Sequence, residues 1–338
     1  MSTTTFSLID GIVNIAKDYE QTKFDVPHVR KWLSQFDNKY HDIILGELNS
    51  ILNKTYLSKD RALEFLNRLL VNKEVFPCDI KDYKFINPQT EGESQKHILE
   101  LLDSLIQKKY GHSIKDCGLN EEIASYIYID DAIYTGNRVI RDIEKWSQGI
   151  DIQTALRLDI IVYALHERNL DYIKSKIEEI IPGVKIEIWR GMIFSDDLKN
   201  SKYQYECYWP SMSVTYNDQT QAYIESVESK RTDRQKEFFS LLRKNGEPLK
   251  DEYFTNAEKR KIVESIFFEK GVDIVSSAQN KNFRPMGYDY QHTLGFGSYF
   301  VSYRNIANNC PVVLWWGDLE GHSGINNWYP LFPRKANN

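Results

Sequence analysis

Residues 126–138 read Tyr126-Ile127-Tyr128-Ile129-Asp130-Asp131-Ala132-Ile133-Tyr134-Thr135-Gly136-Asn137-Arg138. Tyr126 to Ile129 is a short run of β-branched and aromatic residues entered from polar ones, which predicts a strand. Two adjacent carboxylates follow, then a loop with a glycine. Val139, Ile140, Ile143 and Trp146 next recur at helical spacing. Strand, acids, glycine loop and helix in that order suit a sugar phosphate. Ligands of open parallel sheets bind beyond the carboxyl ends of the strands, where Asp130 and Asp131 are expected. Ribose hydroxyls are donors, so carboxylates are natural acceptors for them. The start of a helix offers free N–H groups and the positive end of its dipole to a phosphate dianion. Gly136 permits close backbone approach, Thr135 adds a hydroxyl and Arg138 a cation. An ordinary strand-to-helix turn, with Asp131 or Thr135 as the cap, is the alternative.

The flanks set this stretch in a larger pattern. Leu158 to Leu165 (LDIIVYAL) is almost continuously apolar, as a strand covered on both faces must be. Leu170, Ile173, Ile177 and Ile180 form one helical face, stopped by Pro182-Gly183. Val184 to Trp189 then alternates strictly, which suits a strand nearer the sheet edge. Upstream, Tyr83 to Ile86 reads as a short strand, residues 87–93 as a loop, and Ser94 as the cap of a helix carrying Ile98, Leu101, Leu102 and Leu105. Alternation of this kind predicts an α/β fold with a parallel sheet and right-handed crossovers. Residues 1–80 are expected to form a helical N-terminal extension, 81–195 the α/β core, and 196–338 an α+β extension that completes the core and supplies a hood. In the last part helices are expected near 218–242 and 256–270, and a strand over Pro311 to Trp316. No flexible linker separates these parts, so they are expected as additions around a single core.

The 126–138 run resembles the ribose-phosphate signature of type I phosphoribosyltransferases: a β run, two acids, a few small or apolar residues, then Thr-Gly. That resemblance implies a type I phosphoribosyltransferase-like core. Asp130 and Asp131 would contact the ribose hydroxyls of phosphoribosyl pyrophosphate (PRPP) and help hold Mg²⁺, directly or through water. Tyr134, Thr135, Gly136, Asn137 and Arg138 would form the 5-phosphate loop. Asn137-Arg138 departs from the Gly-Thr that many members carry, which removes a hydroxyl donor. Two further stretches narrow the resemblance. Arg30-Lys31-Trp32-Leu33-Ser34-Gln35-Phe36-Asp37 and the ending Trp328-Tyr329-Pro330-Leu331-Phe332-Pro333-Arg334, with Asn308 to Trp316 before it, are similar to the PRTase-CE group of bacterial conflict systems. Membership would imply a component of bacterial antiphage defence, including retron-linked systems, with a defence protein or a ribonucleoprotein as partner.

Other candidate residues are less distinctive. A phosphoribosyltransferase needs a pyrophosphate loop; Thr90, Gly92, Ser94 and Lys96 stand in the right place, although Glu91 and Glu93 oppose an anion there. A capped helix on a solvated loop accounts for the same residues. Trp189 and Arg190, beyond the last core strand, are candidates for gripping the acceptor base by stacking and donation. Phe283-Arg284 and Trp315-Trp316 are further ones, and plain packing competes for each. His97 and His166 fall near the expected ligand rim, where a satisfied structural histidine is the plainer reading. Trp189-Arg190-Gly191 with Gly297-Ser298-Tyr299-Phe300 is faintly similar to ADP-ribosyltransferases, but no matching glutamate follows and the parallel-sheet pattern opposes that fold.

Composition bounds the rest. A net charge of −5 over 338 residues argues against general nucleic-acid binding. No apolar run is long enough to cross a membrane, and the N-terminus lacks the pattern of a secretory signal. The cysteines, Cys78, Cys117, Cys207 and Cys310, include no CxxC pair and fit free thiols in a reducing cytoplasm. Three functions remain in view: a Mg²⁺-dependent phosphoribosyltransferase acting on PRPP or a related ribose 5-phosphate nucleotide, a non-catalytic nucleotide sensor or docking subunit of a defence complex, and a nucleotide-degrading toxin.

Overall fold

A computed structural model of the chain describes residues 3–89, 94–120, 122–149, 156–196, 204–244, 251–278, 280, 282–320 and 328–335. The chain divides into two compact units, one of Met1–Ser58 with Ser195–Lys335 and one centred on Lys59–Phe194. The expected helical region over 1–80 is therefore shared between them, and the N-terminal helices join the C-terminal part in a single unit.

In the first unit, the chain opens with helices α1 (Thr3–Ile15), α2 (Val26–Leu33) and α3 (His41–Thr55), then a two-residue strand β1 (Tyr56–Leu57). The sheet unit follows with α4 (Lys59–Val71), β2 (Tyr83–Ile86), α5 (Ser94–Tyr110), β3 (Ser125–Ile133), α6 (Asn137–Ser147), β4 (Arg157–His166), α7 (Leu170–Ile180) and β5 (Lys185–Phe194). The chain then returns to the first unit with α8 (Asp218–Glu228), α9 (Asp233–Phe238), α10 (Ala257–Ser276), the short strands β6 (Phe283–Arg284), β7 (Gly287–Tyr288) and β8 (Val301–Ser302), and α11 (Val312–Trp315).

The sheet unit is α/β, with four parallel strands in the order β2-β3-β4-β5. β4 is buried along nearly its whole length, as its apolar run requires, whereas β5 alternates and forms an edge. Tyr128, Leu158, Ile160 and Val162 pack with Val139 and Ile143 of α6 and Ile173 and Ile177 of α7. The opposite face takes the other helices. Phe65 of α4 meets the Tyr163 ring at 5.4 Å, and Gln95 of α5 donates to the Ile129 carbonyl at 3.0 Å. All crossings step the same way across the sheet, so the one over α5 has the opposite hand to those over α6 and α7. Right-handedness, expected for the tight succession β3-α6-β4-α7-β5, concerns the two crossings on the face that α6 and α7 share. The change of face falls between β2 and β3, and a crevice opens at the carboxyl ends of strands where such a change occurs.

The first unit is tied together by its two ends. The fully buried Trp32 donates its indole N–H to the Val313 carbonyl at 2.8 Å, and Trp328 donates to the same oxygen at 2.8 Å. The Gln35 amide pairs with the backbone of Tyr329, giving at 2.8 Å and accepting at 2.7 Å. His28 bridges the Leu331 carbonyl (2.6 Å) and the Tyr329 hydroxyl (2.7 Å). A carbonyl only accepts, so Nε2 carries the proton and Nδ1 accepts from Tyr329. Burial pushes the His28 pKa down, in keeping with a neutral ring. Pro311 to Trp316, expected as a strand, is instead the single helical turn α11: Pro311 caps it, and Trp316 N–H returns to Val312 at 2.8 Å. The expected helix over 218–242 is broken in two, because Thr232 and Gln235 form a capping box that starts α9 afresh.

Beneath this interlock lies a buried ion network. Glu264 takes Arg260 at 2.9 Å and Arg243 at 2.6 Å, and Arg260 also meets Asp251 at 3.0 Å and the carbonyls of Tyr205 and Cys207. Every member is partnered, which is the condition for burying charge without a large penalty. Glu264→Ala would leave two guanidinium groups buried and short of charge, and is expected to cost about 3–5 kcal/mol of stability. Chemical denaturation measures this, and a loss below about 1 kcal/mol would show the network to be dispensable.

Candidate functional site

The aspartates do not lie beyond the strand, as expected, but within it. β3 continues to Ile133 because β4 keeps pairing with it, Asp130 opposite Val162 and Ile133 opposite Leu165. Only Tyr134, Thr135 and Gly136 separate the strand from α6.

Gly136 is the N-cap of α6 and adopts a left-handed backbone, φ 81°. A Cβ there would come within 2.2 Å of Ile173 in α7, so both conformation and space demand glycine. No side chain caps this end of the helix. Tyr134 is steadied from two sides: its carbonyl accepts from Asn169 at 3.3 Å, and its ring stacks on His166 at 5.4 Å. His166 is fully buried and stacks in turn on Phe194 at 4.7 Å. It acts as a packing residue under the loop. Asn137 is exposed at the head of the helix, and Arg138, one position on, turns back along it to Asp142 at 3.2 Å.

Asp130 is buried at the change of face. One carboxylate oxygen accepts from the Ser94 hydroxyl (3.1 Å) and the Asp131 N–H (2.9 Å), the other from the Gln89 amide (2.8 Å) and the Tyr128 hydroxyl (3.2 Å). An ionised carboxylate has about four acceptor positions; Ser94, the Asp131 N–H and Gln89 fill three, and the single Tyr128 proton is shared between Asp130 and Asp142. Tyr128 and Gln89 also reach Asp142, at 2.9 and 3.2 Å, and Asp142 carries Arg138. Ser94 is the first residue of α5, and its hydroxyl spans to Asp130 and Gln89. The junctions β2–α5 and β3–α6 are thus tied through one polar cluster. Burial pushes the Asp130 carboxyl up, against the pull of the hydrogen bonds from Asp131, Ser94 and Gln89 and of the Arg138 charge. Burial and the two facing carboxylates push the Tyr128 hydroxyl up too, so it stays protonated as a donor. Asp131, next along, is only half-buried.

The other candidates are spread more widely. Thr90 and Gly92 lie outside the described residues; Ser94 belongs to the cluster, and Lys96 is exposed on α5. Trp189 and Arg190 sit on β5, two strands from Asp130, where Asp130 pairs with Val162 and Val162 with Arg190. The Trp189 indole donates to Asp159 at 2.7 Å. His97 is half-buried on α5. Among the described residues, no group of three or more His, Cys, Asp or Glu side chains is placed to hold a metal ion. Cys78 is exposed, and Cys117, Cys207 and Cys310 are buried; all four are free. Among the described residues, no helix is long and apolar enough to cross a membrane.

Sequence reasoning missed Gln89, Tyr128 and Asp142. One signal was present: Asp142 falls on the apolar face of α6, beside Val139 and Ile143, where a carboxylate needs a buried partner.

Two outcomes follow. Gly136→Ala is expected to cost about 2–4 kcal/mol, combining left-handed strain with overpacking against Ile173, read as a fall in melting temperature. For Asp130 the sign is set by its raised pKa: the folded state holds the proton more tightly than the unfolded chain, so stability falls as pH rises from the ordinary carboxylate value to the raised one. Asp130→Asn is expected to remove that slope from the melting temperature between those limits, and an unchanged slope would assign it to another group.

A glycine-started helix and a clamped acid thus stand together at the change of face. No curated protein and no solved structure matches the chain. A family model, PRTase-CE, matches residues 29–334, taking in both the N-terminal Trp32–Gln35 stretch and the C-terminal segment it grips. The chain belongs to the PRTase-CE family and is phosphoribosyltransferase-like, with an α/β core on a parallel sheet.

Proposed function

We propose that the β3–α6 junction binds PRPP or a related ribose 5-phosphate nucleotide, and that the protein is a phosphoribosyltransferase of a bacterial defence system. The carrying observation is the uncapped start of α6 at left-handed Gly136, three residues past a strand that carries two acids near its carboxyl end, at the sheet's change of face. The backbone N–H groups of the first turn and the Thr135 hydroxyl are suited to the 5-phosphate. The half-buried Asp131 is the acid suited to the ribose hydroxyls.

In the transfer, a nitrogen nucleophile forms a bond to C1 of the ribose as the bond to pyrophosphate breaks and its electron pair leaves with the pyrophosphate. The chain's part is to hold the sugar in line for that displacement and to place Asp131 where positive charge grows on the ring. Mg²⁺ would neutralise the leaving pyrophosphate. Asp131 fits such an ion, directly or through water, whereas the oxygens of Asp130 are already engaged by Ser94, Gln89, Tyr128 and the Asp131 N–H. The defence role, its retron link and a protein or ribonucleoprotein partner rest on the family resemblance. The free cysteines are in keeping with the reducing cytoplasm.

A second reading is favoured by the engagement of Asp130: a nucleotide sensor or docking subunit that binds without turnover. Nucleotide breakdown by a toxin would use the same seat.

Calorimetry with PRPP, with and without Mg²⁺, tests binding, and a pyrophosphate-release assay over a panel of bases tests turnover. Asp131→Asn is expected to weaken binding at least roughly tenfold, the value of one lost charged hydrogen bond, with an unchanged melting temperature. Wild-type binding in that variant would sink the assignment. Binding with no pyrophosphate release on any base favours the sensor.

A further inference from the structure

The two edges of the sheet are unlike. β2 ends it on one side with four residues, and β5 on the other with ten. At the start of β5, the Lys185 N–H donates to the Leu156 carbonyl at 2.9 Å. Alternate residues of a strand bond to the same side, so Lys185, Glu187, Trp189, Gly191 and Ile193 pair with β4. The N–H and C=O groups of Ile186, Ile188, Arg190 and Met192 therefore point away from the sheet. Among the described residues no backbone group meets them there. An open edge is a template for another strand, and proteins commonly blunt it with short length, proline or a bulge. β5 contains no proline and keeps one register with β4 from Lys185 to Phe194. Its charges, Lys185, Glu187 and Arg190, are of mixed sign, and all three are exposed.

On the α4 side the edge borders an open hollow of about 270 Å³. Phe65 and Leu69 wall it from α4, and Trp189 from β5. Ile186 and Ile188 pack toward α6 and α7, so the Arg190 side chain alternates to that face and only its main chain borders the hollow. The Trp189 N–H donates at 2.7 Å to the buried Asp159, which Arg157 grips through both oxygens. The half-exposed indole is thus already ordered for a contact. At Gly191 a Cβ would approach the Phe65 ring to 3.2 Å, so the strand stays bare there. Arg68, also lining the hollow, is exposed and meets Glu64 only at 3.8 Å.

We propose that β5 pairs antiparallel with β5 of a second copy of this chain, across a two-fold axis at Trp189, so that two sheets become one. Alternation and overlap over nearly the whole strand leave two registers: Arg190 opposite its own copy, or Trp189 opposite its own copy. The first sets like charges face to face, which destabilises a pair. The second faces no like charges. It joins Ile188 to the partner's Arg190 and Ile186 to the partner's Met192, and the reverse, through about eight backbone hydrogen bonds. The two Trp189 residues then fall at a narrow, non-hydrogen-bonded position, where side chains are closest. The partner's Glu187 stands opposite Gly191, at the rim that Arg68 lines. The partner's Trp189 is the diagonal neighbour of Gly191, within reach of an aromatic ring, and covers the hollow. Each copy supplies the aromatic and the acid that the other's hollow lacks. Such a contact is isologous and closes at two copies. β5 lies two strands from β3, so the pairing does not depend on the glycine loop.

Sedimentation velocity on the full chain is the test. Expected is a concentration-dependent species of twice 39.7 kDa. Arg190→Pro removes an outward N–H and leaves the bonds to β4 in place, and is expected to raise the dissociation constant roughly tenfold or more. Glu187→Arg is expected to raise it several-fold, by setting a cation against Arg68, and Glu187→Arg with Arg68→Glu to restore it. Glu187, Arg68 and Arg190 are exposed, so the variants remain folded, and melting temperatures verify it. A monomer at submillimolar concentration overturns the proposal and leaves the edge to a strand of another protein. A dimer unaffected by both Arg190→Pro and Glu187→Arg lies elsewhere on the chain and also overturns it, as does a species larger than two copies. Failure of PRPP to bind would overturn the proposed function and leave this pairing standing.

Discussion

A carboxylate taken out of water must be met by donors or give up its charge, and the sheet unit is arranged around one such group. Asp130 satisfies the requirement with donors from the end of β2, the start of α5 and its own strand. Those donors come from both sides of the change of face, so the same bonds that make the acid tolerable also fix the crevice. Tyr128 and Asp142 extend the cluster to Arg138 and the first turn of α6. Had Asp130 been left to solvent, Ser94 would lose its partner on β3, and only the Gln89 and Gln95 amides would still tie the β2–α5 and β3–α6 junctions.

The first unit uses buried charge differently. Glu264 with Arg243 and Arg260 supports chain with little regular structure, where the carbonyls of Tyr205, Cys207 and Trp209 lack sheet partners and accept from the arginines instead. Above it, two indole N–H groups share the Val313 carbonyl, and the Gln35 amide imitates a strand neighbour for Tyr329. The two stretches that resemble the family's opening and ending are therefore partners. Their residue types are constrained together because each is the other's hydrogen-bonding surface.

Much of the sheet unit could be read from periodicity. The apolar run of β4, the helical faces of α6 and α7, and Gly136 as the pivot between strand and helix each have a local cause, and each was found. What could not be read depends on distant residues. The strand's passage through Asp130 to Ile133 is set by pairing with β4, and the hand of the α5 crossing by which face is left open. Gln89 and Asp142 look ordinary until the fold brings them to one acid. Pro311 to Trp316 has strand-like composition, but two tryptophans need its carbonyl at Val313, and a helical turn presents it. Asp159 inside LDIIVYAL was a legible anomaly: an acid in a buried run needs a cation, and Arg157 stood two residues away.

The first unit is assembled from the chain's beginning and its end, with the whole of Lys59–Phe194 spliced between. During synthesis the sheet unit emerges complete while Trp32 and Gln35 still lack the segment they grip. Domains fold as units while the chain is being made, so the sheet is delivered first and the N-terminal helices wait for Val313 and Tyr329 to complete their hydrogen bonds. The interlock is in effect a late fastening: a chain that stops short of Trp328 lacks the partners of Gln35 and His28.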